Sequence, residues 1–317
     1  MIKKLTLIFA AAAMFFAPSC NKADNALSSQ DEMVTVSYTV SLDNIATKVE
    51  SEPQDGTAEY GQGVAINKVR CMVFTVNNQV EIGTDHILET YELFTIEESD
   101  YVQGNPIQFQ PKFFRNQEYK IAFVAYNTEA YDISDGADLT YSENHTTITD
   151  PEKYDLFTFS DYVNMNGSGV DVTLTRPFTL WQVYTTDQDV EASETLGAKI
   201  TSASVTATVN TKYNVLSGSF GYPAMMTFSR KFPADNAQTF DNQKYTLISS
   251  QYIMPSGICD LTLSICAESR EVSSLDIASV PTVANQRVNI YGCLATSIQT
   301  FTVSISPGDN PPTDMGI

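Results

Sequence analysis

The thiol best placed for chemistry is Cys20, at the end of an N-terminal secretion signal. Two lysines precede residues 5–16, which are almost purely apolar, and this is the pattern of a secretory signal peptide. Small residues at 17–19 then lead into the cysteine. Lipoprotein signal peptidase needs this order, because it cleaves after small side chains and before a diacylated thiol. We therefore predict a signal peptide over residues 1–19 and a lipidated Cys20 as the first mature residue. Ordinary secretion with cleavage near Ala17 is the alternative.

The charge balance restricts the partners of the protein. The 317 residues carry 18 Lys and Arg against 38 Asp and Glu, a net charge of −20. Loss of the signal peptide removes two lysines and no acid, so the mature charge is 16 − 38 = −22. This charge repels nucleic acids and anionic lipid headgroups, and we expect neither as a partner of the folded body. Acyl chains such as palmitate on Cys20 would hold the protein at the outer membrane, with residues 20–32 as a flexible tether.

The remaining cysteines are Cys71, Cys259, Cys266 and Cys293. Each lies in an apolar, strand-like run, where a reduced cysteine behaves as a small hydrophobic residue. An exported protein can also form disulfides, and Cys259 with Cys293 is the bridge to test first. The sequence favours buried thiols over this bridge. It contains no C-x-x-C pair, so the spacing does not fit a zinc site.

Candidate catalytic groups are few. A Ser-His-Asp triad would need His86 or His145, and neither is accompanied by a Gly-x-Ser-x-Gly nucleophile motif. We expect both histidines in loops or at strand edges. The glycines Gly61 and Gly63 lack the third glycine and the following helix of a phosphate-binding loop. The two carboxylates of a glycoside hydrolase meet in space and have no fixed spacing in sequence, so the sequence does not exclude such a pair. The prediction is a protein without a catalytic role and without a cofactor.

Two further segments could bind a ligand. Asp132, Asp135 and Asp138 surround a glycine turn and offer the oxygen ligands that Ca²⁺ prefers, but without the EF-hand spacing. A solvated acidic loop is the favoured interpretation. Trp181 and the tyrosines could form a platform for sugars, although aromatic residues on sheets more often lie in the core or in cross-strand pairs.

The pattern of apolar residues predicts β-structure throughout. Some stretches alternate with period two, as strands with one wet face do. These are residues 34–40, 170–174 and 261–265. Other stretches have apolar residues at both odd and even positions, which is typical of central strands covered on both faces. These are residues 69–76, 121–126 and 288–294. No apolar pattern of period 3.6 extends over a dozen positions, so we predict an all-β fold of two tandem antiparallel β-sandwich domains.

The domain boundary is predicted near residue 175. Pro177 interrupts a strand pattern there, and proline cannot donate a hydrogen bond within a ladder. We assign residues 33–175 to an N-terminal sandwich and residues 176–306 to a C-terminal one. Residues 307–317 are rich in proline and are predicted to form a disordered tail.

Four motifs together resemble a known family. They are VRCMVF at 69–74, LTRPF at 174–178, YIMP at 252–255, and VP at 280–281 followed by RVNIYG at 287–292. In this order behind a lipoprotein signal, they resemble the fimbrillin-like lipoproteins of the Bacteroidetes, the superfamily of type V pilus subunits and their anchor and tip proteins. Residues 21–24 also loosely resemble the export tag of surface lipoproteins in these bacteria. The resemblance implies two transthyretin-like sandwiches and display at the cell surface.

The family also implies a mode of assembly from which this chain departs. In its true pilins, a protease cuts after an arginine between tether and body and removes the N-terminal strand, and the next subunit fills the open groove. Here no arginine lies between Cys20 and Val69, only Lys22, Lys48 and Lys68. The proline-rich tail is also a poor donor strand. Both departures favour a protein that stays lipidated.

The functional expectation is a non-catalytic surface lipoprotein, acting as a fimbrial anchor, an accessory subunit or an adhesin-type component. Its partners would be the outer membrane through the lipid, other fimbrial subunits, and ligands on host or bacterial surfaces. The alternative is a glycan-binding or glycan-processing lipoprotein of a nutrient-uptake system. A glycan binder should show a concave surface with exposed aromatic residues beside carboxylates. A fimbrial component should bury its tyrosines and expose a strand edge or groove.

Overall fold

The computed structural model describes most of the chain beyond the signal and tether. The described residues are 33–42, 65–80, 87–142, 147–149, 151–166, 169–197, 199–231, 237–240, 243–267, 270–295 and 300–307. Within them the chain forms twenty-one strands, one α-helix and one 3₁₀ turn. The all-β prediction is confirmed.

The strands are numbered along the chain. In chain order they are β1 (Met33–Thr35), β2 (Tyr38–Leu42), β3 (Lys68–Val80), β4 (Ile87–Asp100), β5 (Ile107–Phe109), β6 (Lys112–Phe114), β7 (Tyr119–Tyr126), β8 (Tyr131–Ile133), β9 (Asp138–Tyr141), β10 (Thr147–Ile148), β11 (Phe157–Tyr162), β12 (Val170–Leu174), β13 (Thr179–Thr186), β14 (Ile200–Asn214), β15 (Ser219–Lys231), β16 (Ala237–Phe240), β17 (Gln243–Ile253), β18 (Gly257–Ala267), β19 (Arg270–Thr282), β20 (Gln286–Cys293) and β21 (Thr300–Pro307). The 3₁₀ turn covers Pro151–Tyr154, and helix α1 covers Asp187–Thr195.

The first sandwich packs a four-stranded sheet, ordered β11-β7-β3-β4, against a three-stranded sheet, ordered β12-β2-β5. The pair β1-β6 forms a two-stranded sheet of its own. The core of the first sandwich includes Val36, Tyr38 and Val40 from the first two strands and the link between them, Phe113 from β6, and Phe123 from β7, all at most 3% exposed. The alternation over residues 34–40 thus covers the two short strands β1 and β2, and its apolar side closes this core.

The second sandwich packs a five-stranded sheet against a seven-stranded one. The five-stranded sheet is ordered β16-β17-β13-β20-β21, and the larger sheet follows β10-β15-β14-β18-β19, with β8 and β9 attached through β14. The core between them includes Trp181 and Val288 from one sheet and Val205 and Leu263 from the other. Helix α1 begins after Thr186, whose hydroxyl accepts a hydrogen bond from the backbone N–H of Asp189. The helix spans only nine residues, which explains why no longer helical pattern marks it.

One feature of the predicted organisation is wrong. Strands β8 to β10, within residues 131–148, join the sheet of the second half, since Leu139 pairs with Tyr213 across β9 and β14. The assignment of all residues 33–175 to the first sandwich therefore needs correction. Most strand pairs are antiparallel, as predicted, while β2 pairs parallel to β12 and β13 pairs parallel to β20. Parallel neighbours need long connections, and both pairs join segments far apart in sequence.

A third hydrophobic cluster joins the two halves. The side of the four-stranded sheet that faces away from the first core contributes Met72 and Val124, and the second half contributes Phe178, Tyr213 and Tyr252. Strands β3 and β7 are consequently covered on both faces. This confirms the prediction that residues 69–76 and 121–126, apolar on both parities, form central strands.

Candidate functional site

Several predicted site residues lie outside the described residues. These are Cys20, both histidines and the Gly61–Gly63 pair: Cys20 falls within 1–32, Gly61 and Gly63 within 43–64, His86 within 81–86 and His145 within 143–146. The lipidation of Cys20 therefore remains a prediction.

The four other cysteines are free thiols. Cys71 and Cys259 are buried, and Cys266 and Cys293 are partly exposed. Burial raises the pKa of the Cys71 thiol well above its usual range and raises that of Cys259 to about 11. Cys259 and Cys293 are not bonded to each other, and the Cys293 sulfur lies 3.8 Å from the Thr186 hydroxyl.

The three aspartates proposed for Ca²⁺ are not brought together. Asp138 is engaged elsewhere, since its Oδ2 lies 2.7 Å from Lys212 Nζ and its Oδ1 accepts a 2.9 Å hydrogen bond from Asn214. Asp132 and Asp135 point outward as exposed residues. Among the residues that the structure describes, no group of three or more His, Cys, Asp or Glu side chains is placed to hold a metal ion.

Trp181 is a core residue rather than a sugar platform. Its side chain is fully buried, and its indole N–H donates to the carbonyl of Pro281 at 3.2 Å. Many tyrosines are buried as well, including Tyr38, Tyr131 and Tyr213. These aromatic residues stabilise the two sandwiches and the cluster between them.

A groove lies where β4 of the first half faces the hairpin of β14 and β15. Its volume is about 530 Å³, within the usual range of small-molecule sites. Its lining is apolar at Phe74, Leu216 and Phe220 and includes polar side chains as well. We call it the aromatic groove, and its polar and aromatic lining is Glu89, Thr90, Tyr91, Asp138, Lys212, Asn214, Ser217, Ser219 and Tyr222.

At one end of the groove, two tyrosine hydroxyls converge on one carboxylate. Tyr91 and Tyr162 donate to Glu89 Oε2 at 2.7 and 2.5 Å. These hydrogen bonds lower the pKa of Glu89, which therefore stays ionised near neutral pH. The ammonium of Lys120 lies 5.0 and 5.4 Å from the centroids of the Tyr91 and Tyr162 rings and donates to the carbonyl of Leu216 at 2.7 Å. Both rings are thus fixed in place.

At the other end, Tyr222 projects from β15 into solvent. The residue is 71% exposed, and its backbone adopts φ = 57°, a left-handed conformation that side-chain-bearing residues rarely take. Thr211 holds this backbone by donating to the Tyr222 carbonyl at 2.7 Å. Lys212 Nζ lies 5.2 Å from the centroid of the ring and is itself paired with Asp138. Tyr222 is therefore presented to solvent on a constrained backbone.

The sequence did not reveal this groove. Its residues come from five strands, β3, β4, β9, β14 and β15, and from the turns beside them, and each stands in an ordinary β-pattern. The one sequence feature that pointed to this region was the turn around Gly136, which supplies Asp138 to the groove. Asp138 is there the partner of Lys212 rather than a metal ligand.

Similarity to known proteins places the chain in a family. The model of DUF6562, a family of unknown function, matches residues 28–313. The chain belongs to the DUF6562 family. No curated protein matches the sequence of this DUF6562 member.

Solved structures are similar to this DUF6562 chain at low sequence identity. A DUF1812 protein from Bacteroides thetaiotaomicron, described as a candidate polysaccharide-binding protein, is 12% identical, with a TM-score of 0.50 over 89% of this chain and 99% of that one. The fimbrial anchor protein Mfa2 from Porphyromonas gingivalis is 11% identical, with a TM-score of 0.46 over 86% and 96%. A fimbrial assembly protein from Parabacteroides distasonis is 10% identical, with a TM-score of 0.44 over 87% and 95%. The first of these supports the fold alone.

No helix among the described residues is long and apolar enough to cross a membrane.

Proposed function

We propose that this protein is a lipid-anchored, non-catalytic component of the cell surface, acting as a fimbrial anchor, an accessory subunit or an adhesin-type protein. Cys20 is its proposed attachment to the outer membrane, and residues 20–32 are the tether. The proposed partners are the membrane through the lipid, other fimbrial subunits, and ligands on host or bacterial surfaces. Fimbrial anchoring and assembly are the roles named for two of the structures above, but the proposal takes its support from the chain's own residues.

The observation that carries the proposal is the position of β2. This strand lies in the middle of its sheet, parallel to β12 on one side and antiparallel to β5 on the other. Val36, Tyr38 and Val40 from this segment are at most 3% exposed. Loss of the segment would open an apolar groove and leave two strand edges unpaired. A protein that keeps this strand has a closed first sandwich and retains its connection to Cys20, as an anchor or terminal component requires.

Fractionation of cells tests the anchor. We expect the wild-type protein in the outer-membrane fraction and the Cys20→Ala variant in the soluble fraction, because acylation is the proposed source of membrane affinity. Cys266→Ala is the matched control, since it removes a thiol from the folded body, and it should stay with the membrane. A Cys20→Ala variant that remains membrane-bound would disprove the lipid anchor.

Cross-linking in intact cells tests the role at the surface. We expect externally added, membrane-impermeant cross-linker to label the protein and to join it to surface or fimbrial subunits. A periplasmic protein of the same cell, checked in parallel, should remain unlabelled. Labelling only after the cells are lysed would contradict a surface role.

A further inference from the structure

We infer that the aromatic groove is a binding site for a neutral saccharide. A pyranose ring has a flat face of C–H groups and a rim of hydroxyls, so its binding site needs an exposed aromatic ring beside hydrogen-bond acceptors. The lining of the groove supplies both, with the ring of Tyr222 and the carboxylate of Glu89. This inference rests on the proposed surface role and gives that role a ligand class.

Tyr222 supplies the exposed aromatic ring of the groove. A left-handed backbone at a residue other than glycine costs free energy, and such residues cluster at ligand sites. Burial of the side chain does not offset this cost, because the residue is 71% exposed. Lys212 and Thr211 nevertheless hold the ring and its backbone in place. An aromatic ring that is constrained and exposed in a concave surface is suited to contact a ligand rather than to stabilise the fold.

The groove also offers hydrogen-bonding groups to a ligand. Glu89 uses Oε2 for both tyrosine hydroxyls, while its Oε1 accepts no hydrogen bond from the described residues. An ionised oxygen of this kind is a strong acceptor for a saccharide hydroxyl. The hydroxyls of Ser217 and Ser219, which lie 2.6 Å apart, add polar groups on the hairpin side of the groove.

The charges of the groove favour a neutral ligand. Lys212, the basic residue of the lining, is paired with Asp138, and the neighbouring Lys120 is engaged with the Leu216 carbonyl and two tyrosine rings. No basic group of the lining is thus left to neutralise a sulfate or a uronate. Glu89 and the net charge of −20 repel such anions, so the site favours uncharged sugars.

Affinity electrophoresis of the full chain tests the inference. Native gels would contain one of four neutral polymers (amylopectin, galactomannan, xyloglucan or yeast mannan) or one of two anionic polymers (heparin or polygalacturonate). The Cys20→Ala chain would serve as the parent, which keeps the protein in solution. We expect at least one neutral polymer to retard it and neither anionic polymer to do so.

Variants locate the binding. Tyr222→Ala should weaken the retardation by roughly 5- to 10-fold, as the loss of one aromatic contact predicts. Glu89→Gln keeps an acceptor for the tyrosines but removes the charge, and it should weaken binding by a similar ~5-fold. Met225→Ala is the control, because Met225 is 67% exposed on the same strand but does not line the groove. It should migrate as the parent does, and circular dichroism checks that each variant folds.

The outcomes separate this inference from the proposed function. No retardation by any neutral polymer, retardation by anionic polymers alone, or retardation that neither Tyr222→Ala nor Glu89→Gln weakens would overturn the saccharide site. None of these results affects the fractionation of Cys20→Ala, which tests the anchor. If the Cys20→Ala variant stayed membrane-bound, the anchor would be disproved, and the gels would then be run on protein extracted with a nonionic detergent, so the groove is tested in either case.

Discussion

The guanidinium of Arg176 holds the carboxylate of Asp155 through two parallel hydrogen bonds at the junction of the two halves. Arg176 Nε lies 2.6 Å from Asp155 Oδ1, and Nη2 lies 3.0 Å from Oδ2. Both side chains are almost fully buried, with exposures of 5% and 3%. The guanidinium also lies 4.6 Å from the centroid of the Phe157 ring and 5.4 Å from that of Tyr252. One cation thus connects β11 of the first half with β17 of the second.

Removal of this cation should strongly destabilise the protein. Arg176→Ala leaves the carboxylate of Asp155 buried without its main partner, and we expect a loss of about 3–5 kcal/mol in the free energy of unfolding. Urea denaturation measures it. Lys68→Ala is the control, because the Lys68–Asp100 pair is exposed to solvent, with side-chain exposures of 33% and 85%, and its loss should change the free energy of unfolding far less. Equal losses in the two variants would show that the buried pair does not stabilise the junction.

The hydrophobic cluster that contains Phe178 should make the stability of each half depend on the other. Phe178 is fully buried there, with ring centroids 6.1 Å from Tyr131 and 6.2 Å from Tyr213. Phe178→Ala should cost about 3–5 kcal/mol and lower hydrogen-exchange protection in both β3 and β14. Phe113→Ala, within the first core alone, is the matched control and should lower protection mainly in β3. Loss of protection in only one half of Phe178→Ala would argue against a shared core.

Stability should fall at alkaline pH. Burial raises the pKa of Tyr38 from 10.0 to about 12 and that of Cys259 from 9.0 to about 11. Because the unfolded chain releases these protons first, their contribution is fully present below about pH 9 and is lost as the pH rises through the folded values. Thermal melts from pH 7 to 11 measure the decline. Tyr38→Phe removes one of the titrating groups and should reduce the loss above pH 10, whereas an unchanged slope would contradict this origin.

The N-terminal strand should remain in the mature protein. The first arginine after Cys20 is Arg70, in β3, which pairs with β4 on one side and β7 on the other. Its guanidinium is paired with Glu98 and donates to the carbonyl of Ile133 at 3.1 Å. An arginine-specific protease should therefore cut the folded protein at Arg70 far more slowly than the urea-unfolded protein. Mass spectrometry of the native protein should find a lipidated Cys20 on an intact chain, and an N-terminus at Val49 or later would refute the prediction.

The periodicity of the sequence was sufficient to predict the strands and the number of faces that each strand buries. Period-two alternation over residues 34–40 predicted a strand with one buried face, which the structure forms as the two short strands β1 and β2, and the apolar runs at 69–76 and 121–126 predicted central strands. The predicted burial was right because the side chains of a strand alternate between its two faces, so local sequence reports how many faces are buried. The same pattern does not identify the strand that pairs with each segment, and for this reason the assignment of residues 131–148 to the first sandwich was wrong.

The sequence by itself determined the β class of the chain, its acidic charge, and the residue at which lipidation is predicted. Tertiary structure alone decided that β8 to β10 complete the sheet of the second half, that Phe178 lies in a core shared by both halves, and that Glu89 and Tyr222 line one groove. The physical reason is that composition and periodicity are local, whereas strand partners are selected by burial and hydrogen bonding between segments that can lie far apart in sequence. A site built from five strands exists only after those pairings form.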